Sequence, residues 1–492
     1  MADPAQLLLG ADLAGAPVSQ ALRLSNRHGL IAGATGTGKT VTLQRLAEAF
    51  SDAGVAVFAA DIKGDLCGLG AAGQPSGKIA ERIAAMPWLN HRPQAYPVTL
   101  WDVHGESGHP LRTTLSEMGP LLIGSLLELT DSQQSALYAA FKVADREGLL
   151  LLDLKDLKAL LNHLRDHPQL LGDDAALMTT GSSQALLRRL ATLEQQGAEA
   201  LFGEPALQLE DILQPAADGR GRIHLLDASR LVHESPKVYA TFLLWLLAEL
   251  FEQLPERGDA DKPLLALFFD EAHLLFGDTP KALQERLEQV VRLIRSKGVG
   301  VYFVTQSPGD LPDGVLAQLG LRLQHGLRAF TAKEQKSLKA VADGFRPNPT
   351  FDTLAVLTEL GIGEALVGTL QDKGTPAMVQ RVAIAPPQSR IGPLTSAERT
   401  ALIAGSALRG RYDKPIDRES AYEILTERKL QPPAETAPPA PAGGSLADKA
   451  TEFLGTAAGQ AIKSAVRQAA GQLGRQLVRG LMGSLLGGSK RR

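Results

Sequence analysis

The chain has 492 residues, 44% of them hydrophobic and 21% charged; that is enough apolar material for two or three domains of roughly 100 to 200 residues, and it excludes a disordered protein. Its 51 Lys+Arg against 54 Asp+Glu leave a net charge of −3, which excludes a surface that is basic throughout. The balance is uneven, because Ser445–Arg492 holds eight basic and two acidic residues, net +6, so the preceding 444 residues carry −9. The single cysteine, Cys67, excludes an intrachain disulfide and a thiolate zinc cage and suits a reducing compartment. The longest strongly apolar run, Tyr239–Phe251, is shorter than the ~20 residues of a membrane span, and the N-terminus MADPAQLLLG has no basic segment ahead of its apolar stretch. Both features point to the cytoplasm and to a chain with no transmembrane segment.

In chain order, short apolar runs alternate with helical stretches, the pattern of an α/β fold with a mostly parallel sheet. The core strands are expected at His28–Ala32, Val55–Ala60, Val98–Val103, Arg222–Leu226, Leu264–Phe269 and Val299–Val304, whose near-continuous apolar character suits strands covered on both faces. Between Leu111 and Asp211 the pattern turns helical, with Leu or Ala at three- and four-residue spacing in Leu115–Leu129, Ser132–Glu147, Leu154–Asp166 and Ser182–Gln196. This segment reads as an all-helical insertion. Two further short strands are expected at Ala365–Leu370 and Ala377–Ala383, beside the core. A Pro/Ala-rich linker, Gln431–Gly444, follows, and its proline density favours an extended chain.

The segment Gly33-Ala34-Thr35-Gly36-Thr37-Gly38-Lys39-Thr40 fits G-x-x-x-x-G-K-[ST] in full, after the strand HGLIA and before the helix VTLQRLAEAF. Gly36 and Gly38 supply backbone conformations closed to other residues, so that amide N–H groups and a helix N-terminus point at an anion. Lys39 would neutralise the β- and γ-phosphates of ATP, and the Thr40 hydroxyl would ligate Mg²⁺. The residues from Gly33 to Thr40, with Val41 at the start of the helix, are the expected nucleotide contacts.

Leu264–Phe269 ends in Asp270-Glu271, which sets two carboxylates at the C-terminal edge of the sheet, where open α/β sheets bind their ligands. Asp270 suits Mg²⁺, and Glu271 suits orienting and polarising the attacking water. The next run, Val299–Val304, ends in Thr305-Gln306, and an amide there suits sensing a γ-phosphate or positioning the water. Asp61-Ile62-Lys63-Gly64-Asp65 closes the second strand and suits either a contact to the nucleotide or a neighbouring subunit, or a satisfied turn.

The segments GATGTGKT, ADIKGDL, FFDEAHLLF, VVRLIRSKGVGVYFVTQSPGDLPD and QLGLRLQHGLRAFT resemble bacterial P-loop ATPases with a HerA-like helicase C-terminal domain, the YjgR-type group, over about Leu7 to Leu425. The resemblance implies a RecA-like P-loop NTPase core of the HerA/FtsK branch and a homo-oligomer, usually a hexameric ring with nucleotide between subunits; several members pump DNA. It also implies an arginine acting in trans on the transition state, for which Arg322 is the first candidate and Arg328 and Arg295 the others. Two features depart from HerA. Only about 28 residues precede the P-loop strand, too few for an N-terminal β-barrel, and the helical insertion need not present a DNA-binding loop.

The expected organisation is therefore residues 1–110 as the N-terminal part of the ATPase core, 111–211 as the helical insertion, 212–430 as the C-terminal part, 431–444 as the linker and 445–492 as a basic amphipathic helical tail. In that tail an apolar stripe winds round a helix, with Arg467, Arg475 and Arg479 at multiples of four and glycines that favour close packing on a partner. It suits docking on the core or another subunit, an anionic membrane surface, or phosphate. The expected function is Mg²⁺-dependent ATP hydrolysis driving an oligomeric DNA translocase or helicase-like motor. The rival is an ATP-dependent switch or assembly factor that acts on protein or membrane partners and moves no nucleic acid.

Overall fold

The computed structural model describes residues 5–258, 260–277 and 281–430. The linker expected at 431–444 and the tail expected from 445 lie outside the described residues. Twelve strands form a single sheet: β1 Gln6–Asp12, β2 Pro17–Ala21, β3 Gly29–Ala32, β4 Ala56–Asp61, β5 Val98–Asp102, β6 His109–Pro110, β7 Ile223–Asp227, β8 Leu265–Phe269, β9 Val299–Thr305, β10 Leu321–His325, β11 Glu364–Gly368 and β12 Gln380–Ile384. Their order is β2-β1-β12-β11-β10-β3-β9-β8-β4-β7-β5-β6. The stretch from β10 to β6 is parallel, and β11, β12, β1 and β2 are added antiparallel at one side.

The six apolar runs of the sequence are β3, β4, β5, β7, β8 and β9, and β3, β4, β5, β8 and β9 are buried at every position. A run without polar alternation can lie only where both faces are covered. One face meets helix Lys39–Asp52 through Leu43, Leu46 and Phe50, which pack with Ile31, Val57 and Phe268. The other face carries Leu30, Phe58, Phe269 and Val301 and meets helix Pro236–Gln253 together with the segment expected to be helical.

That segment holds helices Leu115–Leu126, Asp131–Glu147, Leu154–Asp166 and Thr180–Gln195. Threonine or aspartate at the N-caps (Thr114, Thr130, Asp153 and Thr179) accepts from the first-turn amides and sets where each helix begins. Its leucines join the same hydrophobic cluster as the sheet face, and the chain up to Arg428 packs as one unit. A C-terminal strap ties the segment down: the Tyr412 hydroxyl donates to Asp211, the Ser420 hydroxyl to Asp156, and the Ala421 amide to the Leu150 carbonyl at 2.9 Å.

Four strands lie outside the sequence expectations: β1, β2, β10 and the two-residue β6 beside β5. The hairpin β1–β2 docks antiparallel on β12, so the residues ahead of the P-loop strand extend the sheet edge. β10 inserts between β3 and β11. Its sequence LRLQH alternates apolar and polar residues, yet Gln324 and His325 are both buried and hydrogen-bonded.

Candidate active site

Parallel strands align their C-terminal ends, so the segments that follow β3, β9, β8 and β4 emerge along one edge. The pairing of Ala32 with Thr305 and of Phe269 with Phe303 brings the P-loop, Gln306 and the Asp270-Glu271 pair to that edge. Gln306 follows a strand lying between the other two, and its side chain is exposed.

The loop after β3 is shaped by positive φ at Gly33 (151°), Gly36 (79°) and Gly38 (113°), and Gly38 caps helix Lys39–Asp52. A Cβ on Gly33 would lie 2.5 Å from the Cβ of His325, so glycine is required there by space as well as by φ. Thr35 and Gly36 are exposed, while Ala34, Thr37, Gly38, Thr40 and Val41 are half-buried. The Thr37 hydroxyl donates to the Ala34 carbonyl at 2.7 Å. Lys39 is 7% exposed, and its Nζ donates to the carbonyls of Gly33 (2.6 Å) and Ala34 (3.2 Å). Burial depresses the Lys39 ammonium pKa, with Glu271 opposing and Lys63 adding to the effect. This cation is thus held on its own loop by neutral carbonyls, an arrangement that a phosphate can displace.

Sequence reasoning missed the walls of this loop. Ala34 N donates to the Gly326 carbonyl, and Gly363 N to the Thr37 carbonyl at 2.9 Å. His325 bridges the two sides. Its Nδ1 faces the Glu364 carbonyl at 2.8 Å, which can only accept, so Nδ1 carries the proton and Nε2 accepts from the Thr42 hydroxyl at 2.9 Å. Burial holds the His325 pKa down at about 4, so the ring stays neutral and keeps this tautomer. Arg82 donates to the carbonyls of Gly363 (2.8 Å) and Ile362 (3.1 Å), and so holds the loop that holds Thr37. The available signal was local: His325-Gly326 closes an alternating run, and Gly363 precedes one.

Asp270 is 4% exposed, and its Oδ1 accepts from Glu271 N at 2.9 Å. Burial pushes its pKa up to about 6, with Lys63 pulling it down and Glu271 raising it. Glu271 sits at φ 44°, ψ 51°, a left-handed conformation that is strained for a residue with a side chain. Its Oε1 pairs with Lys63 Nζ at 2.8 Å, and its Oε2 lies 3.5 Å from His273 Nδ1. Burial would raise this carboxyl, but Lys63, His273 and Lys39 outweigh it and leave the pKa below the ordinary glutamate value. The turn expected to bear on either nucleotide or local structure does the second through Asp61, whose carboxylate accepts from Gly64 N (2.8 Å) and Leu66 N (3.0 Å). Lys63 extends from it into the site.

Arg322, expected to act in trans, lies apart from this group in its own chain. It lies in the first half of β10, away from the edge that carries the P-loop, and its guanidinium donates to the carbonyls of Leu316 (3.1 Å), Leu319 (3.3 Å) and Gly344 (3.0 Å) of its own chain. Those bonds use three of the five guanidinium N–H groups within its own chain. Arg328 is exposed, two residues beyond Gly326, and Arg295 is half-buried.

Among the described residues, no cluster of three or more His, Cys, Asp or Glu is arranged to hold a metal, and no helix is long and apolar enough to cross a membrane. The fit to Mg²⁺ is of another kind. Asp270 is a buried carboxylate with a raised pKa, and the half-buried Thr40 hydroxyl makes no hydrogen bond among the described residues. A cation that keeps most of its waters and takes one or two protein ligands beside substrate phosphates suits such a sparse set.

A doubly covered parallel sheet, a glycine-shaped loop running into a helix and an acidic pair two strands away together define a P-loop ATPase of RecA-like fold. The match to the family model described as Helicase HerA-like C-terminal runs over residues 6–492, and the chain belongs to that family. Comparison with curated proteins gives no match. Among solved structures, the chain is similar to the unbound bacterial conjugative coupling protein TrwBΔN70, at 15% identity over 78% of this chain and 90% of that one, with TM-score 0.52. The plasmid coupling protein TrwB in complex with ADP and Mg²⁺ matches at 16% identity over the same shares, with TM-score 0.51. VirB4 of Thermoanaerobacter pseudethanolicus matches at 16% identity over 81% of this chain and 99% of that one, with TM-score 0.48. At such identities the likeness is one of fold.

Proposed function

We propose that this ATPase hydrolyses Mg²⁺-bound ATP and uses the cycle to move DNA as an oligomer. The observation that carries the hydrolytic reading is the convergence of Lys39, Asp270 and Glu271 on one sheet edge, with Lys39 held by two loop carbonyls. Triphosphate binding exchanges those two carbonyls for phosphate oxygens, while the amides of the loop from Gly36 to Thr40 meet the remaining charge. Thr40 and Asp270 would hold Mg²⁺, which supplies charge neutralisation at the phosphates when bound. Glu271 orients a water and takes its proton as the water oxygen bonds to the γ-phosphorus. The bond from that phosphorus to the bridging oxygen breaks, and the electron pair leaves with ADP. Gln306, exposed at the tip of the strand between the other two, is in place to contact the γ-phosphate or the water.

The DNA reading rests on family membership and on the fold shared with a conjugative coupling protein. It implies a ring, hexameric in the manner of the family. ATPase rates with and without duplex DNA, at several salt concentrations, test it. A motor is stimulated by DNA, and its DNA affinity falls steeply with salt as phosphate-bound counterions are released. An ATPase that ignores DNA and fails to bind it at low salt removes the motor and leaves a nucleotide switch.

A further inference from the structure

Lys63 carries the further inference, because its contact with Glu271 must be broken before Glu271 can serve a water. Oε1 of Glu271 is 2.8 Å from Lys63 Nζ, so the carboxylate edge nearest the turn is taken by a cation. A carboxylate so paired is a poorer proton acceptor than a free one. The backbone beneath Lys63 is held in place. Two amides of the turn donate to Asp61, and Gly64 stands at φ 73°. Only the side chain of Lys63 has latitude; it is 43% exposed, on a flexible four-carbon stem.

The surroundings of Lys63 indicate where that stem can go. Its ammonium feels Glu271, Asp270 and Asp65, and Lys39 in turn feels Lys63, Glu271 and Asp270. Of these, Lys39, Asp270 and Glu271 are the groups assigned above to the phosphates, the cation and the attacking water. ATP places a γ-phosphoryl group among them, with three charged oxygens, and ADP does not. The other nearby ammonium, Lys39, belongs to the loop and meets either nucleotide. Lys63 stands on the carboxylate side, where only a γ-phosphate adds charge.

We propose that Lys63 is a γ-phosphate sensor and positioning residue: without nucleotide or with ADP it holds Glu271, and with ATP its ammonium transfers to the γ-phosphate and releases Glu271 to the water. This rests on the hydrolytic reading of the same site. It makes the base available only when there is a bond to cleave.

The test is equilibrium binding of ADP and of a non-hydrolysable ATP analogue, each with Mg²⁺, to the full chain and to K63A, K63R, E271Q and the double variant K63A/E271Q. K63A is expected to weaken analogue binding about tenfold or more, the loss of one charge-assisted contact, and to leave ADP binding unchanged. K63R keeps the charge and restores part of the preference. E271Q has no ion pair to break, so it binds the analogue more tightly than wild type, and adding K63A cancels the gain. ADP binding in each variant reports that the loop is folded. If K63A shifts ADP and analogue alike, or neither, while wild type binds both, the sensor is overturned and the hydrolytic reading stands. If wild type binds neither nucleotide, both fail together.

Discussion

Two buried aspartates show how this molecule separates structure from chemistry. Asp156, in the helical segment, is fully buried and accepts from the amides of Leu152 (2.8 Å), Asp153 (3.1 Å) and Tyr422 (2.9 Å) and from the Ser420 hydroxyl. Asp270, at the sheet edge, is nearly as buried but among the described residues accepts a single hydrogen bond, from Glu271 N. A buried carboxylate given four donors has its hydrogen-bonding needs met within the fold. At Asp270 burial outweighs the opposing pull of Lys63 and of the Glu271 amide, and its pKa rises to about 6. The difference fits the metal-binding role proposed for Asp270.

The largest expected effect breaks the acidic edge directly. E271Q removes the proton acceptor, keeps the shape, and should lower ATP turnover by roughly 10²- to 10⁴-fold with nucleotide binding retained. Steady-state hydrolysis and nucleotide binding by the same preparation check this, and turnover equal to wild type would remove Glu271 from the mechanism. At Asp156 the expectation is the reverse. D156A strands three amides and a hydroxyl and should cost about 4 kcal/mol of stability, seen as a lower Tm, with turnover per folded molecule unchanged.

Asp270 should also show itself through pH. The folded Asp270 carboxyl lies near 6, above its ordinary value of 3.8, so folding favours its protonated form. Its ionisation costs nothing below the ordinary value and progressively more as pH rises towards 6, reaching about 3 kcal/mol above that. In EDTA without nucleotide, D270N should therefore match wild type near pH 4 and exceed it in stability at pH 7. Melting both across that range measures the gap, and a constant gap would show that Asp270 is not strained by burial.

What the sequence revealed follows the same division. The parallel strands were legible because burial on both faces leaves a near-continuous apolar run, as in Leu265–Phe269. β10 was not, since Arg322, Gln324 and His325 interrupt its apolar residues and their burial depends on partners that a local reading does not supply. β1 and β2 were hidden likewise, because they are recruited by β12 from the far end of the chain. Within the site, the P-loop and the Asp-Glu pair are contiguous motifs, so spacing and flanking elements identified them. The contacts Lys63–Glu271 and Thr42–His325 join residues far apart in sequence, and only the order β3-β9-β8-β4, with β10 on the far side of β3, brings them together.

Arg322 offers the smallest effect and the sharpest use of the contrast, because the resemblance implies chemistry in trans for it while its hydrogen bonds in its own chain give it a part in the fold. Three backbone carbonyls, from two turns of the chain between residues 316 and 344, converge on one guanidinium. That is the pattern of Asp156 with the sign reversed: a charge supplied with partners from its own fold. R322M keeps the aliphatic stem and removes the fork, leaving those carbonyls to other donors, for an expected loss of about 2 kcal/mol. Catalysis should not follow stability. At a temperature where R322M is folded, its turnover at saturating ATP should equal that of wild type, and so should the turnover of mixtures of R322M with wild type. An arginine reaching a neighbour's γ-phosphate would instead lower kcat by about 10³-fold or more at unchanged Tm, with mixtures falling in proportion to the sites that lack it. Loss of Tm without loss of kcat places Arg322 with Asp156, and loss of kcat without loss of Tm places it with Asp270.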